Sequence, residues 1–436
     1  MRVLIDGPEA YPAMLDIIAR ATRWIHFENY IIRSDAAGSR FAEALMARAR
    51  EGVRVRVLYD ALGSSTTSRK YWRALRTAGA EVRAFHPIQP LDLVANFSRD
   101  HRKLVVADGE RAVIGGLCIG NEWTGEAADG EMPWRDTAVD LSGPACALID
   151  QAFGQTWKVT GGEIPSGDTT GRVAPRGEAE VRVIRGEPGQ GRTYRVTELL
   201  AAGSLDRLWI TDAYLVAPPR LFQALRDAAR DGVDVRLLVP GSSDLPLVRN
   251  LSRIGYRGLL RAGVRIFEWE GPMLHAKTIV ADGRWSRIGS SNLNHSSLMG
   301  NWELDVLIEN TGLAEAMEHQ FRQDIARSRE VTRRAVRAPR RISDALPTAL
   351  SRENPQVPAP AHHKSVRERR QRAVVALRIV LANARRSIFL PLTIGLIVLG
   401  VFFFVLPTTA AYTFGVLCAW LAVSAWREAF RRRADR

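Results

Sequence analysis

Apolar and polar positions along the chain fall into one pattern that occurs twice. In the first half, "WIHFENYII" (24–32) predicts a strand, "GSRFAEALMARAREG" (38–52) a helix closed by Gly52, and "VRVRVLYDA" (53–61) a second strand. The second half keeps the order with "LWITDAYLV" (208–216), "RLFQALRDAARDG" (220–232) and "VDVRLLVPG" (233–241). "RTAGAEVRAF" (76–85) is then echoed by "RAGVRIFEW" (261–269). Helices that stop at glycine and pass into Val-rich strands predict βα units around a mostly parallel sheet. The two α/β copies cover 1–160 and 178–325, with 161–177 as a linker.

Beyond residue 325 the pattern changes. "SRENPQVPAPAHHK" (351–364) is polar and Pro-rich, a spacer by composition. "VRERRQRAVVALRIVLANARR" (366–386) predicts a basic amphipathic segment that closes the stretch 326–386. No charged residue occurs from Ser387 to Trp426. As a single helix that run would be ~60 Å long, twice the ~30 Å of a bilayer's hydrocarbon. Pro407 falls near its middle, so 387–427 predicts a transmembrane hairpin with passes at about 388–406 and 410–426. Arginines flank both ends, and 428–436 is a basic tail. The positive-inside rule places both ends, and the α/β copies with them, on the cytoplasmic side of the cell's inner membrane.

Composition narrows the partners. The net charge of +14 and the sequence pI of about 10.3 point to an anionic partner, lipid or nucleic acid. Next to an apolar hairpin, the arginine run 367–372 reads as adhesion to a membrane surface. The three cysteines, Cys118, Cys146 and Cys418, show neither zinc nor disulfide spacing and suit a reducing compartment. "MRVLIDGPEA" has no basic stretch leading into an apolar core, so no secretory signal is expected there.

The chemistry lies in a second repetition. "DHRKLVVADG" (100–109) and "LHAKTIVADG" (274–283) both contain His-x-Lys-x4-Asp followed by Gly. Each predicts a strand with the His and Lys on one side, an Asp-Gly turn, and a return strand, "RAVIGG" (111–116) or "WSRIGS" (285–290). Breaking a phosphodiester without a metal needs a nucleophile, an acid for the leaving oxygen, and cations around the non-bridging oxygens. His101 and His275 with Lys103 and Lys277 supply that set when the copies meet. Small residues at Gly115, Gly116 and Ser290 allow close approach to the phosphate oxygens. Asp108 and Asp282 complete the motif and are grouped with the reacting residues, although an Asp-Gly turn by itself explains both.

With these residues the chain resembles the phospholipase D superfamily, and within it the bacterial cardiolipin synthases. The resemblance runs over about residues 6–325 and extends to "ENYII" (28–32), "LYDALGS" (58–64), "FSRDHRK" (97–103), "PWRDTAVDLSGPA" (133–145), "DAYLVAP" (212–218) and "GSSNL" (289–293). It implies two phospholipase D-like repeats forming a pseudo-dimer within one chain, and a site at their interface that uses neither metal nor cofactor. It further implies a phosphohistidine intermediate and transfer of a phosphatidyl group to an alcohol, with His101 as nucleophile and His275 as acid. Asp136 and Glu303 are then the carboxylates behind the two histidines, a role that competes with simple pairing to Arg135 or the lysines. The resemblance also implies that Asn292 is a phosphate contact in the second copy.

Three positions depart from the family pattern: Cys118 stands where Asn is usual, and Asn294 and Ser296 where Asp and Arg are. Typical members also have membrane helices before the catalytic region rather than after it. The expected substrate is a phospholipid, phosphatidylglycerol first, with no nucleic acid and a monomeric chain. Hydrolysis to phosphatidic acid is the nearest alternative activity, and cleavage of nucleic acid a more distant one.

Overall fold

The computed structural model describes residues 1–87, 98–124, 132–168, 171 and 173–332. The expected membrane hairpin and the basic segments around it lie outside these residues. Among the described residues, no helix is long and apolar enough to cross a membrane.

Two mixed sheets form two lobes. The first contains β1 (Arg2–Ile5), β2 (Trp24–Asn29), β3 (Arg54–Asp60), β4 (Glu81–Phe85), β5 (Leu104–Ala107), β6 (Arg111–Gly115) and β7 (Thr137–Ser142), in the order β1-β7-β6-β5-β2-β3-β4. The second contains β8 (Glu180–Gly186), β9 (Arg207–Thr211), β10 (Asp234–Pro240), β11 (Arg265–Trp269), β12 (Thr278–Ala281), β13 (Trp285–Gly289), β14 (Glu303–Glu309) and β15 (Ser328–Glu330). Its order, β8-β14-β13-β12-β9-β10-β11-β15, matches the first strand for strand and adds β15 at one edge.

The sheets are less parallel than the βα pattern predicts. Parallel pairing is confined to β2-β3-β4 and β9-β10-β11, the strands joined through helices. Tight turns join β5 to β6 and β12 to β13, and a tight turn can only make antiparallel neighbours. The first helix of each crossover begins and ends close to expectation. Asp35 accepts from Gly38 N and starts Ala36–Arg50, and the second-copy counterpart is Pro219–Arg230.

Each sheet packs helices on one face; its opposite face meets the other lobe together with one further helix, Pro144–Val159 on the first sheet and Thr311–Ala326 on the second. Helix Asp6–Arg20 buries Tyr11, Met14 and Ile18 against Phe27 and Val105 in the core of the first lobe. Leu221 and Leu225 of helix Pro219–Arg230 do the same against Ile210 and Leu237 in the second. Between the lobes, Leu104, Val106 and Ile114 share one core with Val280, Ile288, Val306 and Ile308. That shared core sets one sheet's site strands against the other's. Within the expected linker, Ser166–Asp168 forms a short 3-10 turn. Its buried Asp168 pairs with Arg54 and Arg56 of β3 at 2.5 and 2.8 Å.

Candidate active site

The His-x-Lys segments precede their strands instead of opening them. β5 begins at Leu104 and β12 at Thr278. The reason is a pairing across the lobes: His101 N donates to Trp302 O at 2.9 Å, and His275 N donates to Arg135 O at 2.7 Å. The residue after each of those carbonyls then reaches the ring it faces. His101 Nδ1 donates to Glu303 Oε2 at 3.0 Å, and His275 Nδ1 donates to Asp136 Oδ2 at 2.7 Å. The exchange is reciprocal, because each histidine is held by the backbone and carboxylate of the opposite copy.

A carboxylate can only accept, so each ring carries its proton on Nδ1 and leaves Nε2 as a free lone pair. Both carboxylates are fully buried and are secured by further donors. Ser290 Oγ reaches Glu303 Oε2 at 2.5 Å; Trp123 Nε1 and Thr137 N reach Asp136 at 3.1 and 2.8 Å. Burial works to raise both acids, yet the facing histidine and the nearby lysines outweigh it and hold each below its ordinary value. Gly116 is needed at this point because a Cβ there would stand 2.1 Å from Asp136 Oδ1. At Gly115, a Cβ would meet Thr137 O at 2.4 Å.

The lysines complete a cationic floor. Lys103 Nζ donates to His101 O at 2.5 Å, and Lys277 Nζ donates to His275 O. Each ammonium also lies over a tyrosine ring, Tyr30 at 5.2 Å and Tyr214 at 5.8 Å. Burial, reinforced by the Lys103 charge and opposed by Asp136, brings Lys277 down to about 8. Burial and then Lys277 push His275 down to about 4, against the pull of Asp136. His101 is lowered as well, by burial first, with Glu303 opposing. Both rings are therefore unprotonated on Nε2 at neutral pH until an anion arrives between the lysines.

A pH dependence follows. Lys277 is charged below about pH 8 and loses its attraction for a phosphate above it. We expect kcat/KM to fall as pH rises through about 8, measured between about pH 6 and pH 10. A rate that stays level to about pH 10 contradicts a phosphate-holding role for this lysine.

Asp108 and Asp282 are not brought to this cluster. They sit beyond the far ends of β5 and β12, in left-handed conformations with φ of 57° and 51°. Asp108 accepts from Thr22, Arg23 and Trp24 backbone N–H groups at 2.8–2.9 Å, and Asp282 from Leu205, Asp206 and Arg207 at 2.9–3.0 Å. They tie each hairpin to the start of the neighbouring strand, β2 or β9, and their grouping with the reacting residues is corrected accordingly. Asn292 is buried, and its Oδ1 has no hydrogen-bond partner among the described residues. Cys118, its counterpart in the first copy, is buried among the charges of Lys103, Lys277 and Asp136, and burial raises its thiol. Asn294 caps Ser297 N at 2.9 Å and donates to Tyr214 O, a local role that accounts for it without substrate.

Sequence reading missed the aromatic walls. Tyr30 stands edge-on to His101 with ring centroids 5.0 Å apart, and Tyr214 stands edge-on to His275 at 6.1 Å. Trp123 and Trp134 also flank His275, at 5.7 and 5.8 Å. The available signal was positional: "ENY" and "DAY" occupy the same place in the two copies. Also missed was the support under His101, where Arg99 grips Asp60 (Nε to Oδ2 3.0 Å) and Asp100 N donates to the same carboxylate at 3.0 Å. Among the described residues, no group of three or more His, Cys, Asp or Glu could hold a metal ion.

Comparison with known proteins bears on this arrangement. The family described as "Cardiolipin synthase, PLD-like domain" matches residues 14–132 and 196–325, one segment in each copy. A cardiolipin synthase of Geobacillus thermodenitrificans is 35% identical over 331 residues, 74% of this chain and 65% of that protein. Cardiolipin synthase A of Pseudomonas putida is 33% identical over 335 residues, 76% of this chain and 69% of that protein. The chain thus spans about two thirds of the length of these relatives. Among solved structures, a phosphatidylserine synthase of Haemophilus influenzae is similar in fold, with a TM-score of 0.57 and 14% identity over 76% of this chain and 87% of that one. So is a polyphosphate kinase of Porphyromonas gingivalis, with a TM-score of 0.52 and 14% identity over 77% of this chain and 49% of that one. The likeness to those two extends to the fold alone. With a matched segment in each copy and a 33% identical relative aligned over 69% of its length, the chain belongs to the cardiolipin synthase family of phospholipase D-like proteins.

Proposed function

We propose that this protein is a phosphatidyltransferase that makes cardiolipin and glycerol from two phosphatidylglycerol molecules through a phosphohistidine intermediate. The observation that carries the reading is the reciprocal exchange at the lobe interface, where two imidazoles with free Nε2 atoms share a floor with two lysines. An anionic phosphodiester suits that floor, and its charge returns a proton to one imidazole. His101 Nε2 attacks phosphorus, and the P–O bond to glycerol breaks. His275 gives its Nε2 proton to the departing alkoxide, so the enzyme holds a phosphatidyl group on His101 and glycerol leaves. A hydroxyl of the second phosphatidylglycerol then gives its proton to His275 and attacks phosphorus. The P–N bond breaks and both histidines are restored. Lys103 and Lys277 carry the non-bridging oxygens, and Glu303 and Asp136 fix each ring with Nε2 forward. Placing the attack on His101 follows the family resemblance, since the near-symmetric carboxylate acceptors favour neither ring.

We also place the enzyme on the inner face of the cytoplasmic membrane, held by a hairpin at 387–427. The uncharged run and its flanking arginines support that placement. The test of function is product analysis: full-length protein in detergent with phosphatidylglycerol, read by mass spectrometry. Cardiolipin with an equal amount of glycerol is expected. Phosphatidic acid without cardiolipin would move the assignment to hydrolysis.

A further inference from the structure

The surface around the site mouth is built in duplicate. β3 and β10 are equivalent strands, and the loop after each packs on the tyrosine that faces a histidine. In the first, Leu62 N donates to Asp60 Oδ1 at 2.9 Å, Ser64 Oγ donates to Tyr30 O at 3.1 Å, and Gly63 packs against the Tyr30 ring. In the second, Tyr214 Oη donates to the Asp244 carboxylate at 2.9 Å. Each loop then turns a leucine to solvent, Leu62 at 44% exposure and Leu245 at 48%.

A helix without acidic residues follows each loop, Arg69–Thr77 after the first and Pro246–Ala262 after the second. The first exposes Arg69, Lys70 and Arg73, none of them in an ion pair with a described residue. The second exposes Ile254 at 75%. Some exposed arginines elsewhere are matched, as in Arg20–Asp16 and Arg265–Glu330. Large apolar side chains beside unmatched cations suit one kind of partner, an interface with an apolar interior and anionic headgroups.

We propose that these two loop–helix units dock the site mouth onto an anionic lipid bilayer. Leu62, Leu245 and Ile254 enter the interface while Arg69, Lys70 and Arg73 meet headgroup phosphates. The docking aims the cleft between His101 and His275 at the membrane, so a lipid headgroup reaches the lysines without leaving its leaflet. The inference rests on the phosphatidyl-transfer reading for its purpose, but it can be measured without turnover.

The test uses the full chain and two forms of phosphatidylglycerol: vesicles of the long-chain lipid, and a short-chain form below its micelle concentration. The double variant Leu62→Glu, Leu245→Glu should turn over vesicle lipid about tenfold more slowly and the monomeric lipid at the wild-type rate. Leu205→Glu is the control. Leu205 is 88% exposed at the opposite end of the second sheet, where its N–H donates to Asp282. That variant should be unchanged on both substrates. In parallel, Leu62→Cys or Leu205→Cys, each with Cys418→Ser, carries a polarity-sensitive dye on protein reconstituted in phosphatidylglycerol or phosphatidylcholine vesicles. The dye at 62 should shift to the blue in phosphatidylglycerol alone, and the dye at 205 in neither. Equal losses on both substrate forms, full activity of the double variant on vesicles, or the same dye response in both lipids would overturn the docking surface. A wild-type enzyme inactive on both substrate forms, with the dye at 62 still shifting, would leave the docking and remove the phosphatidyl-transfer reading.

Discussion

His101→Ala and His275→Ala should each lose at least about 10⁴-fold in phosphatidyl transfer while remaining folded. No neighbouring group can take the place of either imidazole at neutral pH. Burial pushes the Tyr30 phenol up to about 12 and raises the Cys118 thiol, so neither presents a competent anion. The structural cost is far smaller than the catalytic one. His101→Ala removes one donor from buried Glu303, which keeps Ser290 Oγ at 2.5 Å, a loss of about 1–3 kcal/mol. His101→Asn leaves a side-chain amide as a possible donor to Glu303 and should melt nearer the wild type while remaining as inactive. Steady-state transfer beside thermal melts of all three variants checks both halves of the expectation. Substantial activity in either alanine variant contradicts the composite site.

Arg135→Met should be the most destabilising single change near the site, by about 3–5 kcal/mol. Arg135 is buried at the lobe interface and holds two acids at once. Its Nε reaches Asp324 Oδ1 and Oδ2 at 3.1 and 3.0 Å, and its Nη1 reaches Asp6 Oδ1 at 3.4 Å and Thr137 Oγ1 at 2.9 Å. Burial already raises Asp6 to about 6, even with Arg135 opposing. Without the guanidinium, Gln320 is the remaining side-chain donor to Asp324 among the described residues, and two carboxyls are left short of a counter-charge. The same residue's carbonyl accepts His275 N, so the loss also loosens that histidine. Arg135→Lys should recover only part of the stability, because an ammonium cannot reproduce the fork on Asp324. Urea unfolding of the three proteins decides the matter, and a change below about 1 kcal/mol for Arg135→Met contradicts this ion pair's role.

Much of the fold is legible along the chain because it is local. The helix–Gly–strand pattern recurs at matching places, and the two sheets match strand for strand. The antiparallel hairpins at Asp108-Gly109 and Asp282-Gly283 were legible as a turn and a return strand. The antiparallel pairing of β5 with β2 and of β12 with β9 was not, because Val-rich strands look alike whichever way their neighbours run. At the site, residue types could be read but their partners could not. Glu303 lies 202 positions from His101 and Asp136 lies 139 from His275, each in the other copy. Such crossed contacts come from the packing of the two sheets through Val106, Val280 and their neighbours, which leaves no periodic trace. Tyr30 and Tyr214 escaped notice because aromatic residues in apolar strands look like core until their rings are seen against histidines.

The central claim is that two copies in one chain build a single site that passes a phosphatidyl group through a histidine. Its most direct test is to capture that group. The full-length wild type would be mixed with phosphatidylglycerol labelled at phosphorus, quenched in alkali during turnover to preserve a phosphoramidate, and digested for mass spectrometry. The account predicts label on the peptide containing His101, and none when His101→Ala is treated in the same way. No label on the wild type while it still makes cardiolipin would contradict the covalent route; label on the peptide containing His275 of the wild type would reverse the two histidines.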